Sequence, residues 1–250
     1  MAHFPGFDVG SYPGDAVFAA WAKSGTYKWC GFYLTSPCHS DSKFTPYTGK
    51  AKYLHSLGLG LAILYVGFQK TGCGGTQLTR AQGFIHGMDA VAKCRHEGFP
   101  ARSVIFLDVE YSRGPISTEF TDYYRGWLAA VLDSQTFQPG TYCAKVNFND
   151  VDGAARKEYA LHGLPFGGPV FWIVLEDKLF DPFTAEPTDC GISKASIWQG
   201  LLDTNQTQGG TPLIVDLNTA DSEDPSQSKP AAGVTGMGYT FEEDIIEFDD

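Results

Sequence analysis

The feature that most constrains this chain is a rhythm. As far as about residue 165, short apolar runs alternate with segments whose apolar residues recur at helical spacing. The runs are FPGFDVG, WCGFYL, LGLAILYVGF, SVIFLDVE and PGTYCAKV. DAVFAAWAK, GKAKYLHSLG, TRAQGFIHGMDAVAKCRHEG and STEFTDYYRGWLAAVLDSQ separate them, and VDGAARKEYALHG follows the fifth. Strands alternating with helices predict right-handed βαβ units and a parallel sheet. After residue 165 the rhythm thins. PVFWIVLE, ASIWQGL and PLIVDLN read as three more strands, and the stretch DKLFDPFTAEPTDCGISK is irregular and contains proline. Eight strands predict an α/β fold, a closed TIM-type (β/α)8 barrel that is irregular and has few helices in its last third. The 250 residues suit one such domain. An open doubly wound sheet would need a glycine-rich phosphate loop after its first strand. FDVGSYPGD lacks GxGxxG, and no Walker-type GxxxxGKS or GxxxxGKT segment occurs, so nucleotide binding loses its support.

Charge divides the chain unevenly. Of the formal net charge of −11, residues 221–250 carry nine Asp or Glu against one Lys. The expected organisation is therefore a barrel over residues 1–220 and a linker with an acidic tail over 221–250. Phe241, Ile245, Ile246 and Phe248 could dock that tail on the barrel. No Lys/Arg cluster forms the basic face that a duplex nucleic-acid binder needs. No apolar stretch is long enough to span a bilayer, and the start, MAHFPGFDVGS, has no signal-peptide pattern. The expectation is a protein not embedded in a membrane, exported by a non-classical route or forming a domain of a larger secreted protein. The six cysteines include no CxxC and no zinc-finger spacing. Cys30, Cys94 and Cys143 read as buried small hydrophobes, while Cys38 and Cys73 lie in loops where they could pair. Nothing in the sequence calls for a metal or a cofactor.

Barrel active sites sit at the carboxyl ends of the strands, and acids cluster there. Asp8 ends the first strand, Asp108 and Glu110 the fourth, and Asp216, with Asn218 beyond it, the eighth. The first and eighth strands are neighbours in a closed barrel, so four carboxylates converge on one rim. In FLDVE, residues two apart share a face. Phe106, Asp108 and Glu110 therefore point into the barrel, and Ile105, Leu107 and Val109 point to the helices. Two acids held close repel, so one keeps its proton near neutral pH. A protonated acid beside an ionised one is the equipment for cleaving a glycosidic bond. A helix cap or a loop salt bridge is the plainer explanation for a single DxE.

GFDVG, FLDVE, WQ and VDLN, in that order and on those strands, resemble the barrel lysozymes of glycoside hydrolase family 25. They resemble more closely a related bacterial glycoside-hydrolase-like domain family of uncharacterised function. The resemblance covers about residues 4–220. It implies that Glu110 is the proton donor and that Asp108 orients the 2-acetamido group or stabilises positive charge. Asp8 and Asp216 match the flanking acids. Family 18 chitinases also carry a DxE on strand four, but their DxxDxDxE is absent, with Phe106 and Ser103 where acids would stand.

Aromatic and polar residues at or near strand ends complete the expected site. Tyr12, Tyr33, Tyr65, Tyr142, Trp172 and Trp198 are candidate sugar platforms. Gln69, Lys145, Gln199 and Asn218 are candidate hydrogen-bonding partners of a saccharide, with Asn147 weaker. The histidines share no metal geometry, no GxSxG elbow supports a Ser-His-Asp triad, and TGCGG (71–75) reads as a flexible loop. The leading expectation is a glycosidase acting on an N-acetylhexosamine polysaccharide, peptidoglycan above all, by a carboxylate general acid. The alternatives are a catalytically silent barrel that binds cell-wall glycan, and a secreted effector directed at an envelope.

Overall fold

A computed structural model of the chain describes residues 3–39, 43–70, 73–75, 77–110, 114–163 and 165–227. Eight strands close into a barrel in sequence order. They are β1 (Phe4–Asp8), β2 (Trp29–Leu34), β3 (Gly60–Tyr65), β4 (Val104–Val109), β5 (Gln138–Ala144), β6 (Val170–Val174), β7 (Ala195–Gln208) and β8 (Thr211–Ala220). Helices α1 (Asp15–Ser24), α2 (Ala51–Ser56), α3 (Arg80–Glu97), α4 (Thr118–Asp133) and α5 (Phe148–Leu161) follow the first five strands. Thr79 and Ser117 cap α3 and α4 by accepting from the Gln82 and Phe120 amides. Between β6 and β7 the described residues hold only a short 3-10 turn (Pro187–Cys190), as the thinning rhythm predicts.

The sheet is not wholly parallel. β1 to β7 pair in parallel, but β8 runs antiparallel to both β7 and β1. The cause is Gly209-Gly210, both at positive φ, which closes a tight hairpin between two runs that sequence alone separates by a loop. β7 extends through Gln208, and register shifts between Gln199 and Thr204 bend the hairpin. Its far end lies on α1. Trp21 Nε1 donates to the Thr211 carbonyl at 3.0 Å, and Thr26 Oγ1 donates to Gln208 Oε1 at 2.8 Å. A β-hairpin thus covers part of the barrel flank that a helix would cover in a regular repeat.

Strand parity sorts the core into two layers. Trp29, Ala62, Leu64, Val104, Phe106, Trp172, Ile197 and Ala220 fill the barrel interior. Ile105, Leu107 and Val109 join the larger core between strands and helices, as the period of FLDVE predicts. Gly6 lets the Trp29 indole into the barrel, since a Cβ there would lie 2.1 Å from that ring. Residues 221–227, expected to begin a linker, close the bottom instead. Ser226 Oγ accepts from the Ile63 amide at 2.8 Å, and Asp224 Oδ1 accepts from the Leu61 amide at 3.0 Å. The remainder of the tail, with Phe241, Ile245, Ile246 and Phe248, lies outside the described residues. Cys30, Cys94, Cys143 and Cys190 are buried thiols, and Cys38 and Cys73 form a disulfide.

α3 and α4 cross at near backbone contact. A Cβ on Gly83 would stand 1.9 Å from the Tyr123 carbonyl oxygen, and one on Gly126 would stand 2.0 Å from the Arg80 carbonyl oxygen. These glycines are packing positions, and overpacking such a contact costs about 1–3 kcal/mol. Gly83→Ala and Gly126→Ala are each expected to lower Tm by about 5 °C or more in calorimetry, whereas Gly153→Ala, with open space above it, leaves Tm unchanged or higher.

Candidate active site

The interior-facing residues at the top of the barrel form one polar cluster. Asp8 ends β1 directly opposite Asp216 of β8. Asp216 reaches the rim for a reason other than the one its sequence position implies. It sits in mid-strand, and β8 descends past the mouth, carrying Asn218 below it. Asp8 is buried and accepts three hydrogen bonds, from Tyr33 Oη at 2.6 Å, Gln199 Nε2 at 2.9 Å and Asn218 Nδ2 at 2.8 Å. Gln199 Nε2 also donates to Asp216 Oδ2 at 3.0 Å, so one amide bridges the two carboxyls. Asp216 Oδ1 accepts from the Asp203 amide at 2.7 Å. Tyr142 Oη donates to Gln199 Oε1 at 2.6 Å, and Trp172 Nε1 donates to Asn218 Oδ1 at 3.0 Å. The donors therefore run inward from β2, β5, β6, β7 and β8 to Asp8. Gly31 makes room for this, since a Cβ there would stand 2.5 Å from that of Asp8.

Asp108 faces the same space from β4. It is buried, and its Oδ1 has no hydrogen-bond partner among the described residues. Burial first, then the charges of Glu110 and Asp8, push its carboxyl well above the usual range. Burial likewise raises Asp8, against the three donors that favour its anion. Asp216 is pushed up to about 7, by burial and then by Asp8. An acid with three donors is the better seat for negative charge, and one with an orphaned oxygen is the better seat for a proton. The cluster thus holds charge at Asp8 and a proton at Asp108. Tyr33 and Tyr142 stay as phenols, because burial and then the adjacent acids raise both. Glu110 lies one residue past β4, exposed at the mouth, where its amide donates to Gln69 Oε1 at 3.1 Å.

Other sequence candidates are committed to structural contacts. Tyr65 faces the helices and donates to Asp89 of α3 at 2.9 Å. Trp198 also faces outward, stacks edge-on against Phe180 and donates to the Leu175 carbonyl. Tyr12 is core, packed on Phe18 and Tyr47. Trp172 is fully buried beneath the acids, with no face open to a sugar. Asn147 donates to the Gly114 carbonyl. Lys145 leans on the turn at Gly191, where a Cβ would stand 2.9 Å from its Nζ. Gln69 is buried with its amide engaged by backbone. Tyr33, Tyr142, Gln199 and Asn218 are in the cluster.

Two contributors had escaped the sequence reading. His39 and Phe44 extend Tyr33 into a stack of three rings, with centroids 5.0 and 4.1 Å apart. In TGCGG, Cys73, Gly74 and Gly75 are described, and the two glycines pack closely. A Cβ on Gly74 would stand 2.1 Å from the Phe68 ring, and one on Gly75 would stand 2.8 Å from the Lys70 carbonyl oxygen. Residues 71 and 72 lie outside the described residues. Among the described residues, no group of three or more His, Cys, Asp or Glu could hold a metal ion, and no helix is long and apolar enough to cross a membrane.

The Asp108 proton links the site to stability. The folded chain keeps it to higher pH than the unfolded chain, so Asp108 supports the fold in acid and costs stability as pH rises through its raised pKa. Asp108→Asn is expected to match the parent near pH 4 and to exceed its Tm by about 2–6 °C near pH 8. Thermal unfolding across that range checks this, and a gap that fails to widen with pH contradicts it.

Comparison with known proteins follows the same line. A search of curated protein sequences returns no match. Among solved structures, an uncharacterized B. stearothermophilus protein superposes with a TM-score of 0.60 at 19% identity, over 87% of this chain and 96% of that one. The spore cortex lytic enzyme SleM of Clostridium perfringens gives 0.57 at 15%, over 87% and 67%. The Tat-secreted protein Rv2525c of Mycobacterium tuberculosis gives 0.56 at 17%, over 89% and 96%. These likenesses establish a shared fold. A family model matches residues 19–220, and the chain accordingly belongs to the Rv2525c-like, glycoside hydrolase-like domain family.

Proposed function

We propose that the chain is a glycosidase of N-acetylhexosamine polymers, with peptidoglycan as its substrate. The observation that carries this reading is the buried acid cluster at the barrel mouth with Glu110 exposed above it. Glycosidic cleavage passes through an oxocarbenium-like state, which needs a proton delivered to the leaving oxygen and negative charge beneath the ring. Glu110 is the proton donor, relaying the proton held at Asp108 to the leaving oxygen, and water adds to the anomeric carbon and returns a proton to Asp108. Asp108 accepts the 2-acetamido N–H and orients that group. Asp8 and Asp216 supply the field that stabilises developing positive charge, and it acts strongly because the site is largely shut from water. Tyr33 and Tyr142 position the sugar. That a spore cortex lytic enzyme shares this barrel supports a cell-wall glycan as substrate.

The Cys38–Cys73 disulfide supports a working place outside the reducing cytosol. A Tat-secreted protein of the same fold agrees with export.

The test incubates parent and Glu110→Gln with purified peptidoglycan and measures new reducing ends. The expected result is release by the parent and a loss of roughly 10²- to 10⁴-fold in the variant. Both proteins should sediment equally with the polymer. Equal release by both removes Glu110 from the chemistry. Sedimentation without any release identifies a glycan-binding barrel instead.

A further inference from the structure

We propose that Gln69 is the positioning residue for Glu110 and Asp108, and that the Cys38–Cys73 disulfide holds it in place. The proposal rests on the glycosidase reading for its kinetic consequence, but its geometry stands apart from it.

β3 ends at Tyr65, which pairs with Leu107, so the last residues of β4 have no β3 backbone beside them. Gln69 takes that place with its side chain. Its Nε2 donates to the Asp108 carbonyl at 2.9 Å, and its Oε1 accepts from the Glu110 amide at 3.1 Å. In a parallel ladder, one residue bonds to the carbonyl before and the amide after the residue opposite it. A carboxamide has the same donor and acceptor pair as a peptide unit. Gln69 therefore acts as one extra rung across Val109 and fixes the backbone directions from which both acids project. Gln69 is itself buried, so neither bond faces competition from bulk water.

The loop that carries Gln69 is fastened in turn. The Gln69 amide donates to the Cys73 carbonyl at 2.9 Å, and the Phe68 amide donates to Tyr123 Oη at 2.9 Å. Gly74 and Gly75 allow the turn to close on Phe68 and Lys70. Cys73 is bonded to Cys38 in the loop after β2. Ser36 Oγ donates to the Val66 carbonyl at 2.7 Å beside that bond. A continuous path runs from the disulfide through the Cys73 carbonyl and the Gln69 side chain to the peptide units flanking Val109.

Gln69→Met keeps the volume and removes both hydrogen bonds. The Cys38→Ala/Cys73→Ala variant removes the covalent tie from the rim and leaves the barrel core untouched. Each is examined by steady-state cleavage of peptidoglycan and by hydrogen exchange of the Glu110 amide. Displacement of a reacting group by about 1 Å can cost about 10²-fold in rate. The expected result for Gln69→Met is a kcat loss of roughly 10- to 100-fold with KM within about threefold, and faster exchange at Glu110. The cysteine variant shifts both readouts the same way, and the triple variant is no worse than Gln69→Met alone, since groups on one path are non-additive. Losses that add in the triple variant overturn the role of the disulfide. A Glu110 amide equally protected in Gln69→Met overturns the role of Gln69. If the parent shows no cleavage, the glycosidase reading fails, and hydrogen exchange alone decides whether the bracket exists.

Discussion

The structure turns on the hydrogen bonds that converge on Asp8. A carboxyl buried at the end of β1 is expensive to leave unpartnered. Here β2, β7 and β8 each lend it a donor, through Tyr33, Gln199 and Asn218. Two of those donors are themselves oriented, Gln199 by Tyr142 of β5 and Asn218 by Trp172 of β6. One side chain thereby ties together both partners of the antiparallel seam and reaches halfway round the barrel. The same bonds keep negative charge at Asp8, and with Glu110 near, the neighbouring Asp108 is left as the acid that holds a proton. Fold closure and site electrostatics are consequences of one network, and a change to any donor is felt in both.

Much of this was legible in the residues, for reasons that differ. FLDVE gave its own orientation, because its acids and its aliphatics fall on opposite parities of one strand. Asp8 and Asp216 were legible as neighbours, because the ends of a closed barrel must meet. The direction of β8 was not, because Gly209-Gly210 reads equally as loop or hairpin until the pairing is known. Asp216 was therefore placed correctly on an argument that the structure replaces. Tyr65 and Trp198 show the limit of strand-end reasoning, since each lies one residue from an interior position, Leu64 or Ile197, and a shift of one reverses the face. Gln69 acts through bonds to the distant β4 backbone, which no local pattern encodes, and Gly74 and Gly75 act by close approach to the Phe68 ring and the Lys70 carbonyl, which shows only once the turn is folded.

The cluster also shows a tension between folding and chemistry. Glu158, far from the mouth, has a buried carboxylate met by Arg80 and Arg125. Among the described residues no such cation meets Asp108, and its Oδ1 is left unpaired. An unpaired acid in a buried site is a poor choice for stability and a useful one for handling a substrate amide or a growing positive charge. The chain belongs to a glycoside hydrolase-like domain family, and the mouth of its barrel gathers Asp8, Asp108 and Asp216 with Glu110 beside them.

The most direct measurement is a crystal structure of Glu110→Gln with a peptidoglycan-derived oligosaccharide. The account predicts sugar in the barrel mouth, with an acetamido N–H bonded to Asp108 and a glycosidic oxygen facing residue 110. A saccharide bound elsewhere, or one lying in the mouth with its acetamido group turned away from Asp108, contradicts it.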